Sequence, residues 1–215
     1  MKTQLFNIIS TLAIIAAFVP FLLVSVKKLW GEKAFLLIAC YWMLNGIVNI
    51  LSKIDSISTA TLDLVTIVYN MLDIPLVLIV IHFASNNTTI KRFTKIGAPI
   101  MLIAQLLSFV TKGWNYDSAK YILAVGLLLV MILVVWEIAL YMQKLQHSKN
   151  EKAMIFIHVS LLFAYGTFII IYIFDYYINL SSSIDNFIIY YISTLVAVII
   201  ASIGYLAKAS TRNFI

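Results

Sequence analysis

Seven runs of mostly apolar residues, at 5–26, 34–52, 61–85, 93–110, 118–142, 153–179 and 186–207, limit what this chain can fold into more than any other feature. Each is close to the length of about 20 residues that an α-helix needs to cross the hydrocarbon core of a bilayer. The runs are too long for barrel strands and lack an alternation of period two. Hydrophobic residues make up 63% of the 215 and charged residues 11%, whereas a soluble domain carries roughly half and about a quarter. Too little polar surface remains to coat a water-soluble globule. The expected fold is therefore an all-α membrane protein: one seven-transmembrane-helix bundle over 1–215, with short linkers that make sequential helices antiparallel. The first run is too long for a signal-peptide core and lacks a small-residue cleavage site after it, so it is expected to remain as a helix.

The formal charge of +6 does not point to nucleic acid, because the basic residues sit in short caps between apolar runs. Lys27, Lys28, Lys33, Lys91, Arg92, Lys95, Lys144, Lys149, Lys152, Lys208 and Arg212 fall at one set of helix ends. Only Lys2, Lys53, Lys112 and Lys120 fall at the other. Basic loops stay in the cytoplasm, which predicts an N-terminus outside, a C-terminus in the cytoplasm and a multi-pass protein of the plasma or inner membrane. The single Cys40 lies inside an apolar run, so no intramolecular disulfide can form.

The third run is the least ordinary. It carries Asp63, Thr66, Asn70 and Asp73 at offsets of 0, 3, 7 and 10, followed by Pro75. This spacing is one face of a helix. Ionisable groups at membrane depth face protein or water rather than lipid, so this stripe is expected to line an interior. Asn45 and Asn49 in the second run, Tyr172 and Asp175 in the sixth, and Thr194 in the seventh map to the same outer half. Together with Asp63, Asn70 and Asp73 they are the expected ligand-binding residues of an outward-facing acidic pocket suited to a cation, a protonated amine or a hydroxyl-rich solute. The competing expectation is that the Asn and Thr side chains only bond helix to helix. Pro75 removes the donor for the Met71 carbonyl beside Asp73, and Pro20 is expected to bend the first helix.

A second layer sits nearer the basic ends, where His82, Glu137 and His158 lie at similar depth. Two imidazoles and a carboxylate are a zinc-type ligand set, and His82 with His158 is a bis-histidine haem set. No His-x-x-x-His or metalloprotease spacing supports either, and His82 lies nine residues after Asp73, on the opposite side of an ideal helix. A retinal Schiff base would need a lysine near the middle of the seventh run, which reads TLVAVIIASIGY; no retinal is expected, and no cofactor is required by the pattern. No phosphate-binding loop, dinucleotide fingerprint or nucleophile elbow occurs, which weighs against an enzyme. The function expected first is transport of a small polar or cationic solute. The alternative is a seven-helix sensor or receptor working through a cytoplasmic partner protein or a homo-oligomer, because the tail after Ala207 is too short for an output domain. The third is an intramembrane metal- or haem-dependent enzyme built on His82, Glu137 and His158.

Overall fold

The structure, a computed structural model, describes the backbone of residues 2–174 and 183–208, and their side chains except at 2, 3, 116 and 183–186. Among the described residues it is all helical: α1 (Lys2–Ala17), α2 (Val19–Lys27), α3 (Lys33–Leu51), α4 (Thr59–Ala84), α5 (Thr88–Lys112), α6 (Tyr116–Met142), α7 (Lys149–Ile173) and α8 (Ser183–Ala207). With α1 and α2 taken as one span over Gln4–Lys27, seven helices among the described residues are long and apolar enough to cross a membrane. The chain thus has the build of a polytopic membrane protein.

The first span is not continuous. Phe18 separates α1 from α2, and its N–H reaches Ile15 O at 3.2 Å in a tightened turn. Pro20 lies two residues on, where it can start a helix but not continue one. The break is also a contact point, because Gly46 of α3 packs against it. A Cβ on Gly46 would come within 2.9 Å of the Phe18 ring and 3.1 Å of Ala17 Cβ. The fourth span begins at Thr88, five residues before the apolar run at 93, since Asn87 caps the helix there. Its side chain accepts from Thr89 N at 2.9 Å and Ile90 N at 3.1 Å. Ser58, Asn115 and Ser148 cap α4, α6 and α7 in the same way, the last in a reciprocal capping box with Glu151.

Sequential helices pack side by side, and α8 returns to α1 and α2, closing the spans into a ring. The outer face exposes large apolar side chains, among them Leu12, Leu22, Ile103, Val125 and Ile199, the surface a bilayer would solvate. The tightest approach is between α7 and α8. A Cβ on Gly204 would sit 2.7 Å from the Ala153 carbonyl oxygen, so a residue without one lets the two backbones touch.

At the basic end the ring is fastened by charge. Lys27 Nζ, at the end of α2, donates to the carbonyls of Tyr205, Leu206 and Lys208 at 3.0, 2.7 and 2.6 Å. Those are carbonyls at the end of α8, which lack intrahelical donors and carry the negative end of the helix dipole. Lys208 pairs with Glu32 at 3.0 Å, and Tyr205 donates its hydroxyl to Phe35 O at 2.6 Å. Two of the cations counted above as topology signals therefore also join the first and last helices.

Candidate functional site

Asp73 sits near the middle of α4, and its stripe runs inward as it approaches that level. Asp63 is exposed near the start of the helix, Thr66 and Asn70 are half-buried, and Asp73 is 6% exposed. Its carboxylate meets α7 across the ring: Tyr165 donates its hydroxyl to Asp73 Oδ2 at 2.9 Å. The other oxygen, Oδ1, is buried and accepts no hydrogen bond. The Tyr41 hydroxyl lies beside the same carboxylate without closing a bond of normal geometry. Tyr69, one turn before Asp73, completes an aromatic surround.

Toward the other end lies a second polar group. Asn45 Nδ2 donates to the hydroxyls of Tyr69 at 2.9 Å and Tyr190 at 2.6 Å. Asn49 Nδ2 donates to Asn45 Oδ1 at 3.1 Å, and Tyr191 donates to Asn49 Oδ1 at 3.0 Å. Rings connect the two groups: Tyr165 lies edge-on to Phe168 at 5.5 Å, and Phe168 stacks on Tyr190 at 5.7 Å. Asn45 and Asn49 thus lie on the same side of the interior as Tyr69 and Asp73; Asn70 is half-buried on α4, three residues before Asp73. The polar side chains expected to line an open pocket are to a large extent bonded to one another. Thr194 is buried against this network, its hydroxyl beside that of Tyr190 without a bond of normal geometry. Tyr172 is directed elsewhere, donating to Lys120 O on α6 at 3.1 Å. Asp175 lies outside the described residues.

Two hollows lie toward the basic end. The first, about 320 Å³, is enclosed by the end of α4, the α4–α5 turn, the end of α6 and the start of α7. Glu137 and His158 line it together with Asn86, Asn87 and Lys144. Glu137 Oε1 and His158 Nε2 are both buried without a hydrogen-bond partner. Lys144 is ion-paired with Glu151, and its charge and the Ser85 hydroxyl both act on Glu137. The second hollow is a cleft between α4 and α5, lined by Pro75, Ile79, His82, Thr94 and Pro99 among others. His82 Nδ1 lies 3.1 Å from Lys91 O and 3.3 Å from Thr94 Oγ1. Neither hollow reaches Asp73.

The set of His82, Glu137 and His158 is therefore divided. His82 turns to α5, while the other two turn to the space between α6 and α7. Among the described residues no three His, Cys, Asp or Glu side chains converge on one metal position. The cause is the nine-residue step from Asp73: once that residue faces the ring interior, His82 faces out of it.

Reading the sequence by acidity and amide content passed over Tyr41, Tyr69 and the role of Pro99. A signal was there: Tyr41 lies four residues before Asn45, and Tyr69 four before Asp73, so each shares a face with a polar residue. Pro99 faces Pro75 across the second cleft and removes the donor for the Lys95 carbonyl. Compared with known proteins, the chain matches no family model, no curated protein sequence and no solved structure.

Proposed function

We propose that this polytopic membrane protein carries a small polar or cationic solute, with Asp73 as the charge partner and Asn70, Asn45 and Asn49 shaping its route. The basic end would face the cytoplasm. One observation carries the reading: a carboxylate at mid-depth, walled by tyrosines, has one oxygen satisfied by Tyr165 and the other without a hydrogen bond of normal geometry, the Tyr41 hydroxyl lying nearby. A buried acceptor left unpaired costs about 1–3 kcal/mol. A protonated amine, a donor with no acceptor, would satisfy it. The stripe from Asp63 to Asp73 leads inward from one end, and the cavity lined by Glu137 and His158 opens at the other. Packed apolar residues such as Val77, Leu78 and Leu161 lie between the levels of Asp73 and that cavity. Polar approaches from both ends to a closed middle are what alternating access needs, and Pro75 and the break at Phe18 supply places for helices to bend.

The test is charge movement on proteoliposomes challenged with methylammonium, choline and guanidinium. Wild-type protein is expected to give a current with at least one of them, and Asp73→Asn, eluting as the same monodisperse species, none. Equal currents from the variant would remove the reading.

The Tyr165–Asp73 bond favours a second reading, a sensor. It joins α4 to α7 across the ring, so a ligand that displaced it would shift α7 and the groups at its basic end. A cytoplasmic protein co-purifying with the chain, together with no flux of any of the three cations, would select this alternative.

A further inference from the structure

We infer that the cleft between α4 and α5, on the outer face of the ring, is a binding site for a phospholipid with an anionic headgroup, its phosphate held at Lys95 and one acyl chain laid between Pro75 and Pro99. The inference concerns the bilayer side of the protein and holds whether or not a solute passes Asp73.

The cleft lies where the two prolines oppose each other. Beside Pro99 stands the small Ala98, so α4 and α5 do not close at this level. Residues 75–82 of α4 and 95–102 of α5 flank the opening, a rise of about 10 Å from the basic end toward the middle of the span. A volume of about 370 Å³ is within the range of ligand pockets. Ile79 and Phe83, which line it, are exposed large apolar side chains. The opening therefore lies on the surface a bilayer would cover, and below its mouth the wall is apolar. The polar side chains at the mouth are turned to backbone oxygens of α5: His82 Nδ1 lies 3.1 Å from Lys91 O, and Thr94 donates to Ile90 O at 2.9 Å.

Charge decides which lipid. Lys95 lines the mouth and is exposed, and among the described residues its ammonium makes no ion pair and no hydrogen bond. Arg92, also exposed, stands one turn before it on α5. Lys33 Nζ lies 5.2 Å over the ring of Phe83, on the same wall. Among the described residues no carboxylate lines the cleft. The result is an apolar slot with uncompensated positive charge at its headgroup end. A phosphodiester above an acyl chain has the matching pattern, because basic pockets between membrane helices select anionic headgroups. A zwitterionic lipid fills the slot equally well but gains less at the mouth, since its own ammonium opposes Lys95.

The test is native mass spectrometry of the full-length protein released from detergent micelles. It is titrated separately with dioleoyl phosphatidylglycerol and dioleoyl phosphatidylcholine, whose acyl chains are identical. The first binding step is expected to favour phosphatidylglycerol by at least about tenfold in Kd. Lys95→Gln is expected to raise the phosphatidylglycerol Kd about fivefold and to leave that of phosphatidylcholine as it was. Lys112→Gln, at an exposed lysine on the opposite end of the same helix, is expected to change neither. Ile79→Trp fills the slot from its exposed wall and is expected to abolish the first step for both lipids. Should Ile79→Trp fail to fold, Lys95→Gln decides the matter, because its side chain is exposed. Equal first-step Kd values for the two lipids, a phosphatidylglycerol Kd unchanged in Lys95→Gln or in a folded Ile79→Trp, or an equal rise in Lys112→Gln would each overturn the site. A dimer of the chain that Ile79→Trp dissolves would also overturn it, by seating a second copy in the cleft.

Discussion

Two tyrosines flank the carboxylate of Asp73, and removing their hydroxyls should have opposite effects. Tyr165 donates to Oδ2 at 2.9 Å, so Tyr165→Phe leaves both carboxylate oxygens without a donor of normal geometry. Loss of a single hydrogen bond between membrane helices costs on average about 0.6 kcal/mol. Stranding a buried acceptor adds a desolvation penalty, bringing the expected loss to about 1–3 kcal/mol. Tyr41 differs because its buried hydroxyl lies beside the carboxylate but closes no bond of normal geometry. Tyr41→Phe removes an unsatisfied polar atom at almost constant shape and is expected to be neutral or stabilising by up to about 1 kcal/mol. The two changes are expected to add to within about 0.5 kcal/mol, since Tyr41 closes no bond of normal geometry with the carboxylate. Unfolding in mixed micelles, followed by tryptophan fluorescence, measures all three variants; Trp42 lies edge-on to Tyr41 at 5.1 Å and reports on this level of the ring. A Tyr41→Phe loss equal to that of Tyr165→Phe, or a coupling above about 1 kcal/mol, would show that Tyr41 does bond the carboxylate. The unpaired oxygen on which the proposed solute site rests would then be gone.

Two further outcomes follow from the packing and the charge clamp. Gly204→Ala places a Cβ 2.7 Å from the Ala153 carbonyl oxygen, a backbone atom that cannot step aside, and should cost about 1–3 kcal/mol in the same unfolding assay. Gly46→Ala should cost less, because the atom it meets first belongs to the Phe18 side chain, which can rotate. Lys27→Met withdraws the donor shared by three carbonyls at the end of α8. It should destabilise by about 1–2 kcal/mol and speed amide hydrogen exchange over residues 203–208; unchanged exchange there would mean the clamp holds nothing.

How far the sequence could be read depended on whether a property belongs to one helix or to several. The spans were legible because length and apolarity are properties of a single segment. The caps were present as Ser58, Asn87, Asn115 and Ser148 just before each helix start, yet the apolar runs alone placed the fourth span late, since a cap and a basic first turn carry no hydropathy signal. The inward direction of Asp73 and the outward turn of His82 both came from 3.6 residues per turn. His82 faces a different space from Glu137 and His158, because equal depth does not imply facing sides.

What the chain order alone settled, then, was the number and approximate position of the spans and the face on which each polar residue lies, because both follow from local helix geometry and the cost of apolar surface in water. What each polar group meets was decided only by tertiary packing. Tyr165 rather than a lysine answers Asp73, the asparagines at 45 and 49 are bonded to tyrosines of α4 and α8, and Lys144 takes Glu151. Those pairings depend on how far each helix is rotated and slid against its neighbours. Contacts such as Gly204 on Ala153 and Gly46 on Phe18 fix that, and hydropathy along a single helix does not record it.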